Sequence, residues 1–259
     1  MEAVTFPDVE LQEVLRNKVH FVKVLLPDLP AWCSSWGVMQ YPTFVVLNSR
    51  RNIIDWFSGF HSVESMTDSI EVVLRTGGRY ASTEARIAKE PKKIEAHFEL
   101  LGLAHGGRRW PIVYEASRTC IELDRKRDFK SRTVVLTRYA EAGFYIAIRM
   151  KDEQERRGLL ERIAETTGEL VDREDVTDTQ AATALYFQAS VLDRLDRHDE
   201  ALESIRILVR EHSSARWIHG ITYNLMMPYW QRLGPEDADL EPTHCQICKE
   251  RWKKFSKPK

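Results

Sequence analysis

Apolar and polar positions change rhythm twice along this chain. From His20 to Leu26, HFVKVLL, and again from Thr43 to Leu47, TFVVL, branched and aromatic residues run together, which predicts two buried strands. The polar tract Asn48 to Asn52 then reads as a turn, and Ile53 to Phe57 as a second strand closed by Gly59. Pro42 stands at the mouth of this hairpin, where its missing N–H costs no ladder bond. Ahead of the first strand, Thr5 and Asp8 form an imperfect capping box for a short helix reaching to about Asn17. After the hairpin the rhythm becomes helical, with Val63, Met66, Ile70, Val73 and Leu74 making one apolar stripe.

Residues 76–83, TGGRYAST, carry glycine and polar residues without period, so a linker is expected over 77–88. Beyond it the pattern predicts helix after helix. Pro91 suits the first turn of KKIEAHFELLGLA, which Gly106 and Gly107 end. Pro111 opens the next, through Cys120 to about Arg125, followed by SRTVVLTRYAEAGFYIAIRM and QERRGLLERIAETTGEL. Short connections imply antiparallel neighbours. The expected organisation is an α/β domain over 1–76, the linker, an all-α region over 89–234 and a charged tail over 235–259.

From Ala189, Leu192 comes three on, Ala201 nine further and Ile205 four later, then Leu208 and Ser213. This resembles the tetratricopeptide repeat, with Leu192 and Ile205 in place of aromatics and Ser213 in place of proline. The resemblance implies helical hairpins stacked side by side, a layout used to bind proteins and peptides. ARWIHGITYNLMMPYWQRL, kinked at Pro228, is the expected last helix.

The stretch Trp36-Gly37-Val38, then Pro42-Thr43, the apolar strand, the polar turn, the second strand and Gly59 resembles the C-terminal half of a thioredoxin domain. The resemblance covers roughly the first 75 residues. It implies a cis peptide bond at Tyr41-Pro42 and a peptide-docking edge formed by Trp36, Tyr41 and Pro42. It also implies thiol–disulfide exchange. The redox Cys-x-x-Cys pair and the central strand before it belong, on the family's pattern, just upstream of Met1, so an incomplete sheet is expected. An upstream start, a strand donated by a second chain or direct closure of the sheet would each remedy that gap.

Composition narrows the field further. The 259 residues suffice for two domains, and a net charge of −1 gives no general pull toward nucleic acid or a membrane surface. No apolar run approaches the roughly 20 residues that span a bilayer. Four cysteines, Cys33, Cys120, Cys245 and Cys248, are too few and scattered for a disulfide framework, so a reducing, cytoplasmic setting is expected unless a leader precedes the chain.

Candidate chemistry is sparse. Cys33, nine residues before Pro42, could form mixed disulfides or simply pack beside Trp32. Cys120 falls on the apolar side of its helix and is expected in the core. Cys245-Gln-Ile-Cys248 with His244 offers three zinc ligands, one short of a structural site, so a second chain or a distant histidine would complete it; the pair is otherwise inert or redox-active. Walker, dinucleotide, nucleophile-elbow and zinc-protease motifs are absent from the sequence. The expected functions are therefore thiol–disulfide handling of protein clients, a non-redox chaperone-like binding module, or assembly through tail zinc. No other cofactor is expected.

Overall fold

The computed structural model describes residues 42–212, with Val9, Gln12, Glu13 and Arg16 near the start. Val9, Gln12 and Glu13 are helical and the Arg16 N–H donates to the Gln12 carbonyl, in keeping with the short helix expected there. The described part is mostly helical with one two-stranded antiparallel sheet. It divides into two compact units, 1–125 and 126–259.

In the first unit, β1 (Thr43–Leu47) pairs with β2 (Ile53–Ser58), with Phe44 opposite Phe57 and Val45 opposite Trp56. The turn is set by Asn48. Its side-chain oxygen accepts from the N–H groups of Arg50 and Asn52, an Asx turn that satisfies donors the ladder cannot reach. At the open end, Gly59 at φ +94° donates to the Pro42 carbonyl.

Helix α1 (Val63–Thr76) starts on Ser62, whose hydroxyl accepts from Ser65 N–H. Met66, Ile70 and Val73 are buried, but Leu74 is 45% exposed. At 100° per residue Leu74 lies at one edge of the stripe, beyond the half-buried Val63, with Ile70 and Met66 inside it and Val73 at the other edge. The expected linker over 77–88 is instead a two-glycine corner and a second helix. Gly77 ends α1 in the left-handed conformation, Gly78 follows at φ +93°, and α2 (Arg79–Lys89) begins at once. Its buried face is built by Tyr80 and Thr83, so its amphipathicity does not show in a count of aliphatic residues.

The α2 helix packs on β2 and on α3 (Ile94–Gly106), and α3 packs on α4 (Trp110–Leu123). Pro91 lies in the turn ahead of α3, and Pro111 in the first turn of α4, where an absent N–H is harmless. Leu101, Ala104, Val113, Ala116 and Cys120 fill the α3–α4 interface side of this core.

The second unit consists of α5 (Arg132–Ala147), α6 (Glu153–Val171), α7 (Asp178–Arg194) and α8 (His198–Glu211). Each packs on the next, and α5 packs on α7 as well. Successive packed helices joined by three to six residues must reverse direction, so they form antiparallel hairpins. Double packing explains why α5 buries residues nearly all round, from Thr133 to Ala147. Its first residue, Arg132, is only 5% exposed and holds Glu169 of α6 through Nε at 3.0 Å and Nη2 at 2.9 Å. The start of α7 carries a capping box, Thr177 with Gln180. Ala189 and Ala201 are wholly buried, as expected for small residues at a close helix crossing. Leu208 packs with Ala182 and Leu185.

Candidate functional site

Among the sequence-derived site residues, Pro42 and Cys120 fall in the described part. Trp36, Tyr41, Cys33, His244, Cys245 and Cys248 lie outside the described residues, as do the strand expected over His20 to Leu26 and the helix around Pro228. Pro42 is half-buried and its carbonyl closes the hairpin through Gly59, 2.9 Å away.

Cys120 is not a reactive thiol. It is 1% exposed on α4, and burial, with smaller contributions from Asp124 and Glu95, pushes its pKa up to about 12. Its Sγ donates to the Ile94 carbonyl at 3.9 Å. At neutral pH it carries no thiolate, the species on which disulfide exchange depends. No three His, Cys, Asp or Glu side chains come together as a metal site among the described residues. No helix among them is long and apolar enough to cross a membrane.

The structure assembles an aromatic–arginine hub in the first unit that the sequence did not single out. Trp56 of β2 and Tyr80 of α2 meet with ring centroids 4.3 Å apart. The Arg109 guanidinium, from the α3–α4 turn, lies 4.2 Å from the Trp56 ring centroid and 5.4 Å from that of Tyr80. Burial lowers the Arg109 pKa, opposed by Tyr80 and Glu84, and the two ring faces offset part of its desolvation. Burial also pushes the Tyr80 hydroxyl up to about 12, helped by Glu84. Two glycines make the assembly possible. A β-carbon on Gly107 would stand 1.9 Å from Trp56 Nε1, and one on Gly78 would stand 2.1 Å from the Ile54 carbonyl oxygen. The signal in the sequence was Gly106-Gly107-Arg108-Arg109-Trp110, read there only as a helix end. With every group packed against a ring or a backbone, this hub fixes the turn and the sheet to one another.

The surface with the composition of a binding site belongs to the second unit. Phe144 and Tyr145 of α5 meet Phe187 of α7, with Phe144 and Phe187 centroids 5.5 Å apart and Tyr145 and Phe187 centroids 6.4 Å apart, and Tyr186 stands edge-on to Phe187 at 5.2 Å. The phenylalanines are buried, whereas both tyrosines are half-buried. Burial raises the Tyr186 pKa; Ser190 opposes that rise and Tyr145 adds to it. Two exposed arginines flank the tyrosines at the C-terminal ends of their helices. Arg194 lies 4.8 Å over the Phe144 ring and donates to the Ser190 carbonyl at 3.0 Å, and Arg149 donates to the Tyr145 carbonyl at 2.6 Å. Amphipathic rings beside arginine are the residue types enriched where proteins bind proteins.

No protein family, curated protein or solved structure matches the chain.

Proposed function

We propose that this chain is a binding protein for protein or peptide clients, with a thioredoxin-like hairpin region joined to tetratricopeptide-like helical hairpins, and that it acts without redox chemistry. The observation carrying this reading is the packing of α5 against both α6 and α7, which brings Tyr145 and Tyr186 each against the Phe187 ring, with Arg149 and Arg194 at the ends of the two helices. Such an array offers rigid, low-entropy contact area to an extended or helical segment of a client. The inert state of Cys120 agrees with it.

The test uses reduced, carboxymethylated α-lactalbumin, a permanently unfolded client that cannot exchange disulfides. Binding is expected, unchanged after the chain is treated with iodoacetamide, and weakened in Tyr145→Ala and Tyr186→Ala. Absence of binding, or its loss on alkylation, would sink the proposal.

Thiol–disulfide handling is the second reading, favoured by the order β1, β2, α1 behind Pro42 and by the Gly59–Pro42 closure. It requires thiols other than Cys120. Dithiothreitol-dependent insulin reduction by the chain would place it first.

A further inference from the structure

In the first unit, the turn of the hairpin, the Gly77-Gly78 corner and the α3–α4 turn bring together arginines that lie far apart in the chain. Gly78 packs against Ile54, since a β-carbon on it would stand 2.1 Å from the Ile54 carbonyl oxygen. Gly107 packs likewise against the Trp56 ring, and the Arg79 N–H donates to Asp55. Arg50 and Arg51 precede Ile54 by four and three residues, at most about 13 and 10 Å of strand. Arg75 precedes Gly78 by three residues and Arg79 follows it at once. Arg108 and Arg109 follow Gly107, with the Arg109 guanidinium 5.4 Å from the Tyr80 ring.

Arg50, Arg51, Arg75, Arg79 and Arg108 are exposed, and Arg109 is half-buried. Among the described residues no carboxylate pairs with Arg50, Arg51, Arg75 or Arg108, whereas Arg86 and Arg118 on other faces of this unit are paired with glutamates. Arg79 has its Nε 3.9 Å from the Asp55 carboxylate. Acids are few here: Asp55 is buried as the cap of α2, and Glu71 and Glu84 stand one helical turn from Arg75 and Tyr80. The near-zero charge of the whole chain thus conceals a local excess of positive charge. Arg51 at φ +63° and Arg108 at φ +52° hold a left-handed conformation that glycine or asparagine adopts more readily. An arginine kept at such a position points to use of its side chain.

We propose that this arginine cluster binds the phosphodiester backbone of a nucleic-acid duplex without reading its sequence. Guanidinium groups take phosphate oxygens in pairs, and cations set against a polyphosphate release its counterions. A duplex fits better than a single strand, because Trp56 and Tyr80 beside the arginines are each 7% exposed and cannot stack on bases. It fits better than a membrane surface, because Phe60, the most exposed large apolar side chain among the described residues, follows the open end of the hairpin while the arginines gather at its turn end. The tyrosine face of the second unit takes no part in this binding.

The experiment is fluorescence anisotropy of fluorescein-labelled DNA and RNA duplexes of about 20 base pairs, titrated with the full chain between roughly 50 and 200 mM salt. Binding to at least one duplex is expected, about a hundredfold weaker at the higher salt, as release of about four counterions predicts. R50Q/R51N/R75Q/R108N leaves Arg79 and Arg109 in place and puts asparagine at the left-handed positions. It is expected to bind at least about tenfold more weakly, with a shallower salt dependence, while keeping its circular dichroism. R50Q/R75Q, which touches no left-handed position, should lose about threefold. K89Q/K92Q/K126Q/K151Q removes as many charges from other exposed positions and should bind as the native chain does. Four results would each overturn the proposal. They are no binding to either duplex, an equal loss in the lysine variant, tighter binding to phosphatidylserine vesicles than to either duplex, and undiminished affinity in both arginine variants, as binding through the lysine-rich stretch 249–259 alone would give.

Discussion

The buried carboxylate of Asp55 accepts the main-chain N–H of Arg79 at 3.1 Å, so a strand residue caps a helix 24 positions further on. Asp55 is 3% exposed, and its other oxygen accepts from Trp56 N–H at 2.9 Å. Gly78, which precedes α2, has no side chain to serve as a cap. Asp55 takes over that role and places negative charge at the positive end of the α2 dipole. Removing the acceptor leaves a helix-terminal donor without its partner. Asp55→Ala is expected to destabilise the protein by about 1–3 kcal/mol, and Asp55→Asn, which keeps one oxygen, by less. Urea unfolding should show lower midpoints at unchanged m; an unshifted midpoint in Asp55→Ala would mean the contact adds nothing.

Glycine substitutions separate space from backbone freedom. Gly107 has an ordinary φ of −88°, so only the Trp56 ring stands against a side chain there. Gly107→Ala should cost about 1–3 kcal/mol through overpacking and shift Trp56 emission to the red. Gly78→Ala adds a left-handed φ to its clash and should cost more. Gly102, exposed within α3 with open space around it, is the control: alanine there is expected to stabilise by up to about 1 kcal/mol. Thermal melts that fail to separate the three would contradict this geometry.

Tyr80 links stability to alkaline pH. Its hydroxyl ionises at about 12 in the folded state and near 10 unfolded, so between those values the folded chain binds the extra proton. Stability from this group is complete below pH 10 and is lost as pH rises toward 12, at up to about 1.4 kcal/mol per unit. Cys120 titrates over an overlapping range, with the same sign. Tyr80→Phe should therefore flatten, without abolishing, the decline of the unfolding midpoint between pH 10 and 12. An identical slope in the variant would count against the buried placement of the hydroxyl.

Cys120 gives a chemical reading of the first unit's core. In the native chain at pH 8 it should resist iodoacetamide, and in 6 M guanidinium it should react at the rate of a free thiol. Peptide mapping resolves it from the other three cysteines. Rapid native labelling at Cys120 would mean that the α3–α4 packing opens.

Much of the local structure was legible in residue order. The run Thr43 to Leu47, the Asn48 turn and the Ile53 strand stand where expected, with β2 one residue longer. Most helices after Pro91 begin and end within a few residues of their signals, because apolar period, caps and glycine stops act over one or two turns. Leu74 fell outside the core because a stripe's rim depends on what packs against it. The α2 helix went unseen because Tyr80 and Thr83, not aliphatic residues, make its buried face.

By itself, then, the sequence determined a small β-hairpin followed by a long series of helices, and the place of Cys120 in the core. Each follows from short-range pattern or from the chemistry of a single side chain. Only tertiary structure decided that Asp55 would cap α2, that Gly107 would lie against Trp56, itself under Arg109, and that Tyr145 and Phe187 would meet on neighbouring helices. Those contacts join residues 24 to 53 positions apart, and chain distance of that size carries no local propensity. They form because burying the hairpin and the α5 faces leaves few arrangements in which the remaining polar groups keep partners.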